Sequence, residues 1–298
     1  MDATHVPVLP LELLELLRPR PGARFVDGTL GGGGHARMLL EQIQPDGILL
    51  GIDRDPEAVE RVSRNLSGHG SALRLRCADF AEVKSLLVEE KLVPVDGIVV
   101  DLGMSSLQLA DPERGFAFSM EGPLDMRYDR SHGSSAADLL GQLSESEIAD
   151  LIWRYGEERA SRRLARRIVQ QRRAAPLRTT SALARLAERV VPRRRRGRRA
   201  AHPATRMFQA LRIAVNRELE SLERFLEDAP TTLAPGGRLA IISFHSLEDR
   251  LVKTCFRNLE NDGGHVRITR KVIKAGDREV EQNPRARSAR LRVLERAA

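Results

Sequence analysis

The chain has 298 residues, 41% of them hydrophobic, which is enough for a core in one large domain or a domain with an insertion, and too apolar for a disordered chain. No apolar run nears the ~18 residues of a membrane span, MDATHVPVLP lacks the basic and apolar regions of a signal peptide, and Cys77 and Cys255 stand far apart without metal-ligand spacing. These features argue against a membrane protein, a disulfide scaffold or a structural zinc site, and a cytoplasmic setting is expected.

The net charge of +8 is unevenly spread. Twenty arginines against three acids (Glu157, Glu158 and Glu188) give +17 between Arg154 and Arg217 and leave −9 for the rest. A taste for Arg over Lys in the genome explains the residue type but not the clustering. The pattern suits a chain that meets a polyanion through one region.

From the start, Leu9 to Leu17 reads as a helix and ARFVD (23–27) as a strand, followed by a glycine loop and a helix to about Ile43. GILLGID (47–53) is a continuous apolar run, the mark of a strand buried on both faces. A helix begins at Pro56, where Pro is tolerated. Ala72–Cys77 is a third strand, Phe80 to Lys91 a helix and DGIVVDL (96–102) a fourth strand. Repeated β-α-β units imply a parallel sheet with right-handed crossovers.

Residues 103–133 show no periodicity and form a long loop of the kind that usually serves function. From Ser134 to about Val191 the chain is helical, with a capping box at Ser144-x-x-Glu147. RRRRGRR (193–199) reads as an exposed basic loop. His202-Pro203 opens one long helix to about Asp228, with Met207, Leu211, Ala214, Val215 and Leu222 in its apolar stripe. After the turn LAPGG (233–237), RLAIISF is a fifth strand and Ser246 to about Leu259 a helix. Val266–Ile273 and Ala289–Glu295 close the sheet as an antiparallel hairpin, with no helix expected between them.

Gly31-x-Gly33-x-x-Ala36 fits the dinucleotide fingerprint, and Asp53 ends the next strand where an acid takes ribose hydroxyls. This pattern suits NAD and an adenosyl cofactor alike, and a tight packing turn would also need such glycines. Two features favour the adenosyl ligand. Acids recur after successive strands, at Asp27, Asp53, Asp79 and Asp101, where they would repel a pyrophosphate and attract a sulfonium. Some of them can equally cap the following helix. The closing hairpin is also the methyltransferase form of the sheet. The backbone N–H groups of Gly33, Gly34 and His35 face a ligand at a helix start. Phe80 packs either on an adenine or in the core.

Several long motifs carry a resemblance: DGTLGGGGH (27–35), IDRDPEA (52–58), VDLGMSS-x-Q (100–108), ERGFAFSMEGPLDMRYD (113–129), HPATRMFQALRI-x-VN (202–216), ISFHSLEDR (242–250) and NPRARSARLR (283–292). The chain resembles the ribosomal RNA small-subunit methyltransferase H family over essentially its whole length. The resemblance implies an α/β class I methyltransferase fold, Rossmann-like with about seven strands, formed by residues 1–106 and 217–298. It also implies a helical insertion at 107–216 for RNA recognition. The implied activity is methylation of N4 of a cytidine in the decoding centre of 16S rRNA by S-adenosylmethionine, with the small ribosomal subunit as partner and a monomer or homodimer as the active form. Cofactor contacts are implied at Gly33, Gly34, His35, Asp53, Phe80, Asp101 and Gln108.

Methyl transfer from a sulfonium is an in-line displacement that needs alignment rather than a metal. Asp101 is the acceptor placed to draw on the N4–H of cytosine, although it can instead bind the cofactor's amino group. Phe116, Phe118 and Tyr128 are the candidates to stack the base. Arg193, Arg194, Arg195 and Arg196 are expected to hold phosphates, and Arg206, Gln209 and Asn216 to share an RNA-facing side of the 203–228 helix. His245 is a helix cap or a base contact. The competing readings are an NAD-dependent oxidoreductase and an RNA-binding assembly factor without activity.

Overall fold

A computed structural model describes residues 7–191 and 202–298. Arg193, Arg194, Arg195 and Arg196, with the rest of the RRRRGRR run, lie outside the described residues. In chain order come α1 (Pro10–Leu17), β1 (Arg24–Asp27), α2 (Gly34–Ile43), β2 (Ile48–Asp53), α3 (Pro56–Asn65), β3 (Leu73–Cys77), α4 (Val83–Glu89) and β4 (Val95–Asp101). The helices α5 (Ser106–Ala110), α6 (Ala136–Gln142), α7 (Glu145–Gly156), α8 (Ser161–Ala174), α9 (Thr180–Val190) and α10 (Thr205–Asn216) follow. The chain ends through α11 (Glu218–Asp228), β5 (Leu233–Ser243), α12 (Ser246–Asn261), β6 (His265–Arg267), α13 (Asp277–Gln282) and β7 (Arg290–Arg296). It divides into two compact units, Met1–Ser105 with Leu219–Ala298, and Ser106–Glu218.

In the first unit the strands form one sheet in the order β3-β2-β1-β4-β5-β7-β6. The first five strands of that order run parallel, while β7 pairs antiparallel with both β5 and β6. This is the class I methyltransferase sheet. Successive residues point to opposite faces, as the period of 2 demands. Phe25 and Leu49 join the apolar layer of Leu13, Leu39 and Ile43 on one face, and Val26 and Leu50 join Leu87, Phe225 and Phe256 on the other. Burial on both faces is why GILLGID shows no polar alternation. Connections leave β1 toward one side of the sheet and β4 toward the other. Their carboxyl ends therefore lie side by side at a topological switch point, the place where open α/β sheets bind ligands.

The second unit is helical. Capping boxes at Ser135/Asp138 and Ser144/Glu147 open α6 and α7, and α7 packs against both α8 and α10. Gly156 allows the closest approach there, since a Cβ on it would stand 2.5 Å from the Arg206 carbonyl oxygen.

Four local expectations are corrected. The long helix breaks at Arg217, whose φ of 51° is left-handed, so α10 and α11 are separate. The segment before β7 holds a helix, α13, all of whose residues lack burial. The strand expected at 266–273 shortens to β6, with Ile273 making only an isolated bridge to Leu291. LAPGG is no separate turn but lies within β5, where the register against β4 shifts.

Candidate functional site

Asp27, Asp53 and Asp101 end β1, β2 and β4, and these strands are neighbours in the sheet. Thr29 ties two of these ends together: its N–H donates to Asp27 Oδ1 at 3.1 Å, and its Oγ1 accepts from the Asp101 N–H at 2.7 Å. Asp53 holds the glycine loop, accepting from Gly31 N–H on Oδ2 at 2.8 Å and from Asp55 N–H on Oδ1 at 2.9 Å. Asp79 behaves differently. It caps the turn at 80–82, accepts from Ser221 Oγ at 2.5 Å and lies 3.6 Å from the Arg54 guanidinium. Of the four acids read from the sequence, three converge and the fourth is structural.

Two oxygens in this group are buried and accept no hydrogen bond, Asp27 Oδ2 and Asp101 Oδ1. Such groups are costly unless a charge or donor meets them. The cost shows in their ionisation. Burial pushes Asp101 up to about 7, with Glu248 acting the same way and Arg285 opposing both. Burial also raises Asp27 to about 6, with help from Asp101 and Asp53, against His35 and the Thr29 N–H. Arg285, in the motif NPRARS, is therefore a member of the site that sequence reasoning missed; its guanidinium also bonds the Met104 carbonyl.

The glycine loop is shaped by its neighbours. Gly31 and Gly33 take φ of 49° and 80°, and a Cβ on Gly33 would meet Val62 Cγ2 at 3.0 Å. The Gly33 N–H is spent on the Leu30 carbonyl at 2.7 Å, so it is not the ligand donor expected. Gly34 and His35 open α2, where first-turn N–H groups have no partner inside the helix. Gly34 also faces Pro7, whose ring atoms stand 3.1 Å from where a Cβ would sit. His35 is buried and donates from Nε2 to the Val8 carbonyl at 3.0 Å. Burial holds its ring below the usual histidine range, opposed by Asp27 and by the Val8 bond. The histidine thus fastens the segment Pro7–Leu9 over the start of α2, and Leu9 N–H donates to Glu279 Oε1 at 2.7 Å.

Phe80 is half-buried and meets Phe225 edge-on at 5.2 Å. Gln108 belongs to the helical unit, buried on α5. His245 caps α12, its Nδ1 accepting from the Glu248 N–H at 3.3 Å.

The residues expected to face RNA divide. Arg206 is exposed, within reach of Glu158 at 3.6 Å and bonded to the Glu157 carbonyl at 3.1 Å. Gln209 donates from Nε2 to the Tyr155 carbonyl at 2.9 Å. Asn216 overturns the expected open face: it is 3% exposed. Its Nδ2 donates to the Met126 and Arg212 carbonyls at 2.7 and 2.9 Å, and its Oδ1 accepts from the Tyr128 N–H at 2.8 Å. Asn216 is a fastener for the loop at 126–128, where Met126 has a φ of 65°. The same loop stacks Tyr128 on Phe116 at 5.6 Å, with the Arg114 guanidinium over the Phe116 ring and donating to the Tyr128 carbonyl at 2.7 Å. Phe118 instead stacks on His202 at 4.6 Å.

Chemically, the strand ends offer clustered carboxylates with unpartnered oxygens and a short helix start. A ligand carrying positive charge would relieve Asp27 and Asp101, whereas a pyrophosphate would be repelled by them.

The comparisons with known proteins agree with one another. The MraW methylase family is matched over residues 2–297. The chain is 49% identical over 307 residues to the ribosomal RNA small subunit methyltransferase H of Syntrophotalea carbinolica, covering 98% of each protein. To the protein of that name from Geobacter sulfurreducens it is 48% identical over 311 residues, covering 99% of this chain and 100% of the relative.

Proposed function

The chain belongs to the MraW methylase family, and from that premise we propose that it methylates the N4 amino group of a cytidine in the decoding centre of 16S rRNA with S-adenosylmethionine. The single observation that carries the cofactor reading is the pair of buried, unpartnered carboxylate oxygens, Asp27 Oδ2 and Asp101 Oδ1, at the switch point of the sheet. S-adenosylmethionine fits them because it bears a sulfonium and an ammonium and no phosphate, and when bound it supplies an electrophilic methyl group.

This chain's own residues divide the remaining work. Asp53 holds Gly31 and meets the ribose hydroxyls. Gly34 and His35 present their N–H groups at the start of α2. Phe80 lies against the adenine. Asp101 acts on the cytosine. Its carboxylate would accept a hydrogen bond from N4–H, restore electron density to a nitrogen whose lone pair is delocalised into the ring, and take up the proton as the N–C bond forms and the methyl–sulfur bond breaks, the neutral thioether S-adenosylhomocysteine being the leaving group. Burial lifts Asp101 to about 7 in the ligand-free chain, and a bound cation would lower it again and keep the carboxylate ionised to accept the N4–H bond. Residues 107–216 recognise the RNA, with Arg193–Arg196 and Arg206 on phosphates.

The test adds isotopically labelled S-adenosylmethionine to small ribosomal subunits that lack the modification, then maps the label. Label on N4 of one 16S cytidine is the expected result. Label absent from RNA overturns the reading, and thermal stabilisation by NAD in place of S-adenosylhomocysteine would favour an oxidoreductase.

A further inference from the structure

One basic helix of the second unit is described in full. Arg159 to Ala174 holds seven arginines and no acid. Helix α8 turns Leu164, Ala165 and Ile168 inward and leaves Arg162, Arg163, Arg166, Arg167 and Arg173 exposed. The spacing 162, 163, 166, 167 lines one helical face. From Arg162 to Arg173 the helix rises about 16 Å, room for several phosphates of one strand. Among the described residues Arg162 and Arg163 have no ion pair, and Arg166 has one exposed acid, Glu145, at 3.6 Å. Arg172 turns away to cap the Leu140 and Leu143 carbonyls, both at 2.6 Å.

The helix that precedes and packs on α8 carries an exposed indole. Trp153, the single tryptophan of the chain, is 56% exposed on α7. The other exposed large hydrophobics among the described residues, Leu11, Val88, Val93 and Val266, are aliphatic and belong to the other unit. Helices α7 and α8 pack together and are joined through residues 157–160, so the last turn of α7 lies beside the first turn of α8. Asp150 and Glu157 are the exposed acids nearest Trp153 along α7. Glu158 is buried and lies 3.6 Å from Arg206. Across the α7–α8 junction the exposed Arg154, Arg159, Arg162 and Arg163 outnumber these acids.

An exposed aromatic beside unpaired guanidinium groups is the composition that binds single-stranded nucleic acid, because the ring takes a base face while the cations take phosphates. A duplex would hide the base faces. We infer that Trp153 is a stacking platform for an unpaired base of the RNA, with the neighbouring phosphates running along the arginine face of α8. The inference rests on the RNA reading above and adds the strand type and the place of contact.

The single tryptophan makes the test direct. The full chain is titrated with a fluorophore-labelled single-stranded RNA, an RNA duplex and inorganic polyphosphate, while binding is followed by anisotropy or competition and Trp153 by its emission. Saturable quenching by the single strand alone is expected. Trp153→Ala should weaken single-strand binding about tenfold, with Trp153→Phe retaining most of it. Arg162→Gln with Arg163→Gln should lower the slope of log affinity against log salt by about 1.4. Single-stranded RNA that binds with unchanged emission, or with equal affinity to Trp153→Ala, overturns the inference, as does equal quenching by the duplex. Labelling of ribosomal subunits by the same preparation is scored separately: wild-type chain that labels subunits while these binding results fail loses only the platform, and chain that labels no RNA loses the reading it rests on.

Discussion

The two units handle charge in opposite ways. In the sheet unit, carboxylates are drawn into the interior at the ends of β1, β2 and β4, and two of their oxygens are left without partners. In the helical unit, cations are held in water along α8, while the buried Arg114 and Asn216 bond the loop at 126–128 and the buried Arg212 bonds Glu218. A small cationic ligand can compensate a few buried charges at short range. A long polyanion needs many exposed charges, each screened and each contributing little alone. In the proposed function, burial marks the ligand site and exposure the polymer site.

The sharpest way to break this contrast is at Asp101. Asp101→Ala is expected to lower the rate of methyl transfer about 100- to 10,000-fold in single-turnover assays with saturating cofactor. Near-normal transfer would return Asp101 to cofactor binding alone. The next largest effect falls on the helical unit. Asn216→Ala removes the two hydrogen bonds that tie Met126 and Tyr128 to α10 and should cost about 2–4 kcal/mol of stability, read by denaturant unfolding. A cost under ~0.5 kcal/mol would mean that the loop is fastened elsewhere.

A smaller effect should have the opposite sign. Asp101 is lifted to about 7, so between about pH 4 and 7 the folded chain keeps a proton that the unfolded chain has released. Stability then falls as pH rises through that window. Asp101→Asn, neutral at every pH, should raise the Tm of the ligand-free chain by about 2–5 °C at pH 8, with the gain shrinking toward pH 4. A lower Tm at pH 8 would show that the carboxylate stabilises the fold. The least effect is at the loop. Gly33→Ala places a Cβ at φ 80° and 3.0 Å from Val62, costing about 1–2 kcal/mol, measurable as a shift in the unfolding midpoint.

Much of this arrangement is legible in the sequence, for physical reasons that differ by element. Strands such as GILLGID are readable because burial on both faces forces a continuous apolar run. The three converging aspartates are readable because each ends such a run. The charges that act on Asp101, Arg285 of the NPRARS segment and Glu248 of α12, come from far along the chain, and no local pattern carries them. Helix α13 is hidden because none of its residues is buried, so it has no apolar stripe. The break at Arg217 is hidden because an arginine adopts a left-handed φ that usually signals glycine or asparagine. Asn216 looks like a surface residue until the Met126–Tyr128 loop, some ninety residues earlier, closes over it.

Asp27 and Asp101 are proposed to form a receptor for a cation. Calorimetric titration with S-adenosylmethionine at pH 6.5, in buffers of different ionisation enthalpy, tests it most directly. Binding is expected to release about half a proton or more, with affinity falling as pH drops through about 7 and then 6 and Asp101→Asn removing most of the release. Binding with no proton release, or with proton uptake, would contradict it.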